Sequence, residues 1–192
     1  TCLVGSEMCI RDRNEELTET ATGSDEEWYT LASRNRDLAV DERDAGDSAN
    51  PELDYPSLYT PEQLRRNQDM QNGAIEAPFL FRKDGMWYLF VSWDRCCRGV
   101  NSTYKIVVGR SKNIRGPYLY RDGKRLVRVG GTIIAAGDGE NWAAVGHPSA
   151  YTFDGTDYLV FHAYDLKDEG KAKLRIRPIQ WKDGWPVISL GE

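Results

Sequence analysis

The sequence predicts an all-β protein of stacked four-stranded sheets, a β-propeller arrangement, and three observations carry that prediction. Asp-Gly pairs stand between apolar runs at Asp84-Gly85, Asp122-Gly123, Asp154-Gly155 and Asp183-Gly184. Such a pair is the strongest short hairpin signal, because a type I′ turn needs positive φ at both central residues. The runs WYLFV (Trp87 to Val91) and YLVF (Tyr158 to Phe161) do not alternate apolar with polar. Strands of that kind are covered on both faces, whereas each sheet of a two-layer sandwich keeps one wet face. Finally, APFLFRKDGMWYLF (Ala77 to Phe90) repeats as HPSAYTFDGTDYLVF (His147 to Phe161), with Pro78 on Pro148 and Asp84-Gly85 on Asp154-Gly155, each at an offset of 70. A fixed repeat in hairpin-rich sequence is the signature of propeller blades.

In chain order, Thr1 to Arg13 (TCLVGSEMCIRDR) has the look of translated sequencing-adaptor sequence and is set aside as a non-native segment. It has neither the charged start nor the apolar core of a signal peptide. Asn14 to Asn50 is polar and acidic; within it Trp28-Tyr29-Thr30-Leu31-Ala32 suits one short strand. Thr60 to Met70 suits a short helix, with Thr60 as N-cap and Pro61 at the first helical position. One blade is expected at about 75–120, with strands near 76–82, 86–93, 103–110 and 117–120. The next is expected at about 144–189, with strands near 145–152, 157–163, 172–181 and 185–189. Two blades cannot close a ring, so other blades are missing from this stretch, and a loop-rich N-terminal part precedes the two.

Bulk properties narrow the partners. The 192 residues carry a net charge of −5 without a basic block, which argues against nucleic acid. The longest apolar runs are strand-length, which argues against a membrane span. Six Trp and ten Tyr are a heavy aromatic load with two readings: rings that fill a β core, or rings of which some stack on a sugar ligand. The adjacent Cys96 and Cys97 have two readings: separate buried thiols on opposite strand faces, or a vicinal disulfide in an exported protein.

Three stretches reach a known family. AIEAPFLFRKDGMWYLFVSWDRCCRGVNSTYKIVVGRSKNIRGPY (Ala74 to Tyr118), GHPSAYTFDGTDYLVFHAYD (Gly146 to Asp165) and LRIRPIQWKDGWPV (Leu174 to Val187) resemble, in that order, the arabinanase branch of glycoside hydrolase family 43. The resemblance implies a five-bladed propeller that hydrolyses α-1,5-linked arabinan or a related hemicellulose with inversion. It also implies a secreted or periplasmic protein. The alternatives on the same scaffold are an exo-acting arabinofuranosidase or xylosidase; outside enzymes, the alternative is a non-catalytic glycan-binding propeller.

The family uses three carboxylates, and Ile75-Glu76-Ala77-Pro78 matches the setting of its general acid, so Glu76 is the catalytic candidate. Free Glu titrates near about 4.3, so a proton donor of this kind needs a pocket that favours its neutral form. Neither of the two Asp motifs occurs here, and Asp54 matches no family signal, so the chain as given is expected to be inactive by itself. Gly146-His147-Pro148 resembles the segment that places a histidine at the central channel beside a bound metal, often calcium; a buried, backbone-bonded His147 is the other reading. By the repeat His147 aligns with Ala77, not Glu76. Successive strand residues face opposite ways, so both reach the axis only if a strand start is bulged. His162 reads as structural. Trp93, at a strand end near the cleft, is the substrate-stacking candidate. Arg175 and Arg177, on one strand face, read as partners in a cross-blade ion pair, and Asn101-Ser102-Thr103 as a loop by the cleft.

Overall fold

The computed structural model describes residues 2–4, 7–11, 28–33, 75–126 and 132–191. The expected helix at 60–70, Asp54, and most of the acidic stretch 14–50 lie outside those residues. Three strands form a first sheet: β1 (Cys2–Val4), β2 (Glu7–Arg11) and β3 (Trp28–Ser33), in that order. The second sheet is a four-stranded meander of β4 (Ile75–Lys83), β5 (Met86–Trp93), β6 (Lys105–Ser111) and β7 (Thr132–Ala136). The third holds β8 (Trp142–Phe153), β9 (Thr156–Asp165) and β10 (Lys171–Pro178), again in meander order. A separate hairpin joins β11 (Gln180–Lys182) and β12 (Trp185–Val187). Among the described residues no helix is long and apolar enough to cross a membrane.

The turns form for the reason read from the sequence. Asp84-Gly85, Asp154-Gly155 and Asp183-Gly184 all take positive φ at both residues, between 47° and 77°. At Asp122-Gly123 only the glycine does, and the turn is a wider loop closed by Tyr120 N–H to the Lys124 carbonyl at 3.0 Å. The strand expected near 117–120 is reduced to single bridges of Leu119 with Arg110 and Arg125. The fourth strand of that sheet is β7 instead, paired with β6. Thr1 to Arg13, set aside above, contributes β1 and β2, which pair with β3.

The second sheet is covered on both faces, as WYLFV requires. One face presents Tyr88, Phe90, Ile106 and Val108 to Val145, Ala150, Leu159, Phe161 and Ala163 of the third sheet. The opposite face packs Leu89, Val91, Trp93 and Val107 on Leu31 and Ala32 of β3. Each fully buried aliphatic or aromatic side chain contributes roughly 1.5–3 kcal/mol, so this double interface is the main stabilising feature. Asp157 ties the sheets together: Lys83 meets its carboxylate at 2.9 Å, Thr152 donates at 2.6 Å and Trp181 at 2.8 Å. Burial pushes the Asp157 carboxyl up, but these donors outweigh it and hold it below the ordinary range.

The third sheet differs from the YLVF expectation. Leu159 and Phe161 are buried, but the other face leaves Leu174 71%, Tyr151 65% and Ile176 53% exposed. Arg175 and Arg177 both donate to the Leu190 carbonyl, at 3.0 and 2.6 Å, and Arg175 also lies over the Trp142 ring. These contacts fasten both arginines to the segment around Leu190.

Candidate active site

The start of β4 meets the end of β5, where Ile75 pairs with Trp93 and Glu76 with Ser92. The start of β8 likewise meets the end of β9, with Trp142 opposite Asp165. Both strand starts are bulged. The β4 register skips between Glu76 and Phe79, and the β8 register between Gly146 and Ser149. Ala77 and His147 sit at the equivalent bulge positions with φ of 51° and 58°. A bulge re-aims side chains, and each one here is followed by a proline that a regular ladder would not accept.

Around Glu76 the chain assembles a small polar cluster. The Tyr104 hydroxyl donates to Glu76 Oε1. Ser92 Oγ accepts the His147 backbone N–H at 2.8 Å, so Ser92 links the two bulges. The Tyr104 ring stacks on His162 with centroids 5.7 Å apart; His162 in turn meets His147 at 6.1 Å and the edge of Tyr164 at 5.1 Å. Burial, then the neighbouring His147, holds His162 below the usual imidazole range, with the Glu76 carboxylate working the other way. Burial first, and the hydrogen bond to Glu76 second, push the Tyr104 phenol far above the ordinary tyrosine range, so it stays a donor at any working pH.

Tyr104 reaches this position because Gly146 gives way. A Cβ on Gly146 would stand 2.0 Å from Tyr104 Cδ1 and 2.3 Å from Cε1. The backbone adds a tie, with Val145 N–H donating to the Tyr104 carbonyl at 3.1 Å. The repeat contained this signal: at the same offset Glu76 aligns with Gly146, so the second unit carries a gap where the first carries its carboxylic acid. Tyr104 and Ser92 were not singled out from sequence.

The loop before Tyr104 forms the shoulder of the site. Cys96 and Cys97 are joined in a vicinal disulfide, which decides between the two readings above. Cys96 packs with Tyr104, Ala144 and Tyr164, while Cys97 is exposed and donates its N–H to Tyr164 Oη at 2.8 Å. Beneath the loop, Lys105 Nζ pairs with Asp94 Oδ2 at 2.7 Å, both buried.

One expectation needs revision. Trp93 is 0% exposed, wedged among Ile75, Val91 and Val107, so its ring packs the core and has no face left for a sugar. His162 does pack structurally, but in doing so it lines the row from His147 to Tyr104. As for a metal, no three His, Cys, Asp or Glu side chains converge among the described residues. His147 is exposed and offers one imidazole. One imidazole by itself is not a metal site, and a hard cation prefers oxygen ligands to it.

The profile of glycosyl hydrolases family 43 matches residues 22–186. The chain belongs to that family. An extracellular exo-α-(1→5)-L-arabinofuranosidase of Cellvibrio japonicus is 38% identical over 180 residues, 93% of this chain and 44% of that protein. An extracellular endo-α-(1→5)-L-arabinanase of Bacillus subtilis is 48% identical over 114 residues, 59% of this chain and 34% of its own length. Among solved structures, a Cellvibrio cellulosa α-L-arabinanase complexed with arabinohexaose superposes with a TM-score of 0.70 at 36% identity, covering 96% of this chain and 50% of that one. This family 43 chain thus spans half or less of the length of these relatives.

Proposed function

We propose that this chain is the C-terminal part of a five-bladed propeller that hydrolyses α-1,5-linked arabinan with inversion, and that Glu76 is its general acid. The observation that carries the reading is the bulged strand start that presents Glu76 beside Tyr104, Ser92 and His162 in a family 43 chain. Supporting it, the second sheet is stacked on both faces, and the third leaves an apolar face on which a further sheet would stack. Both named relatives are extracellular enzymes acting on α-(1→5)-L-arabinosyl linkages, which favours arabinan as substrate and an exported enzyme.

In this reading Glu76 gives its proton to the leaving oxygen while a carboxylate from another blade activates water on the opposite face. An inverting pair stands roughly 6.5–9.5 Å apart to leave room for that water. The base and the carboxylate that tunes the acid belong to other blades. The parent protein is therefore expected to cleave linear α-1,5-arabinan and release products of inverted anomeric configuration, whereas the 192-residue chain alone does not. Proton NMR of the first products checks this; retained configuration, or full activity of the isolated chain, overturns it. A ladder of oligosaccharides marks endo attack. A single short product from the first minutes marks the exo mode, which the Cellvibrio japonicus relative favours.

His147 carries the metal part of the proposal, a calcium ion in the central channel approached through water. His147→Ala in the parent protein should weaken the calcium dependence of activity or thermal stability about tenfold or more, the scale of lost outer-shell contacts. An unchanged calcium titration removes the idea.

A further inference from the structure

We propose that Tyr104 is a positioning residue for the general acid, fixing the transferable proton of Glu76 on Oε2, and that Gly146 exists to admit its ring. The proposal rests on the reading of Glu76 as acid. The Tyr104 hydroxyl donates to Oε1 of Glu76. A protonated carboxyl has one accepting and one donating oxygen. With Oε1 already accepting, the acidic hydrogen resides on Oε2, the oxygen left free to face the glycosidic bond. A carboxylic acid without such a partner spreads its proton over both oxygens and several rotamers, and general-acid catalysis depends on hydrogen-bond reach to one atom.

The surroundings hold Tyr104 to this task. Its ring is 1% exposed and stacked on His162, its carbonyl accepts the Val145 N–H, and its face lies against the bare Cα of Gly146. The titratable groups nearest the pair are His162 from β9, His147 from β8 and Tyr164 beyond them. Among the described residues, the hydrogen bond to the Glu76 carboxylate comes from Tyr104 and not from these three. Ser92, opposite Glu76 on β5, accepts the His147 N–H and so ties the β8 bulge to the strand beside the pair.

The experiment uses the parent enzyme with three variants, Tyr104→Phe, Gly146→Ala and Glu76→Gln, on two substrates. One is linear arabinan, whose leaving group needs a proton. The other is an arabinotriose carrying an activated phenol, which departs without one. Tyr104→Phe should lower kcat/KM on arabinan about 10- to 100-fold, the range for losing a hydrogen bond to a charged group, and leave the activated substrate within about 3-fold. Gly146→Ala, which drives a methyl into the Tyr104 ring, should show the same split. Equal losses on both substrates mean that Tyr104 is merely structural and overturn the proposal. Glu76→Gln separates the two layers of argument. If it shows no substrate split, the acid assignment itself falls. If it splits and Tyr104→Phe does not, only the positioning role falls. Should Tyr104→Phe fail to accumulate as folded protein, the Gly146→Ala pair of rates decides.

Discussion

Glu76→Gln in the parent enzyme should cut kcat on arabinan about 10²- to 10⁴-fold, the range that general acid catalysis supplies, with oligosaccharide affinity changed by no more than about threefold. The glutamine amide keeps the carbonyl that accepts from Tyr104, so the bulge and the Tyr104 contact survive and only the proton is lost. Steady-state kinetics together with calorimetric titration of an arabino-oligosaccharide check the two halves separately. A variant that retains a tenth or more of wild-type turnover sinks the acid assignment. One that loses affinity in step with rate shows that Glu76 binds substrate rather than protonating it.

The largest stability effect is expected at Asp94→Ala. Asp94 closes β5 with φ of 68°, and its carboxylate meets the Lys105 ammonium at 2.7 Å with both residues buried. Breaking a buried ion pair by removing one member costs about 3–5 kcal/mol. Alanine also tolerates the left-handed backbone less well than aspartate does. Denaturant titrations of the two proteins should show a midpoint shift of that size at unchanged slope. A shift below about 1 kcal/mol would mean that water or a neighbour takes over the lysine, and the loop above it would not depend on this pair.

How much of this was legible in the sequence varies by the range of the interaction. Local signals held: three Asp-Gly pairs make the turns their chemistry demands, and the unbroken run from Trp87 to Val91 is covered on both sides. The equivalence of Ala77 and His147 at offset 70 was also legible, together with the need for a bulge, because a period of two residues leaves no other way to aim both starts. Long-range facts were not legible. Tyr104 meets Glu76 across 28 residues, and nothing in the local pattern of either strand encodes the contact. Trp93 was misplaced because a strand end near a cleft can bury its last side chain in either direction; here the β3 residues Leu31 and Ala32 supply the far side of its pocket. The fourth strand of the second sheet went to Thr132–Ala136 because Leu119 is drawn into paired bridges by the loop around Gly123.

The bond between Cys96 and Cys97 has a practical consequence. Adjacent sulfurs can close only where oxidant is at hand, and thiol-buffered cytosol keeps such pairs open. The shoulder that rests on Tyr164 and Tyr104 would therefore take its final shape only in an oxidising compartment. A preparation from an ordinary bacterial cytoplasm would carry a looser rim beside a complete set of sheets. Two batches of the parent enzyme of equal purity would then differ in turnover according to how each was expressed.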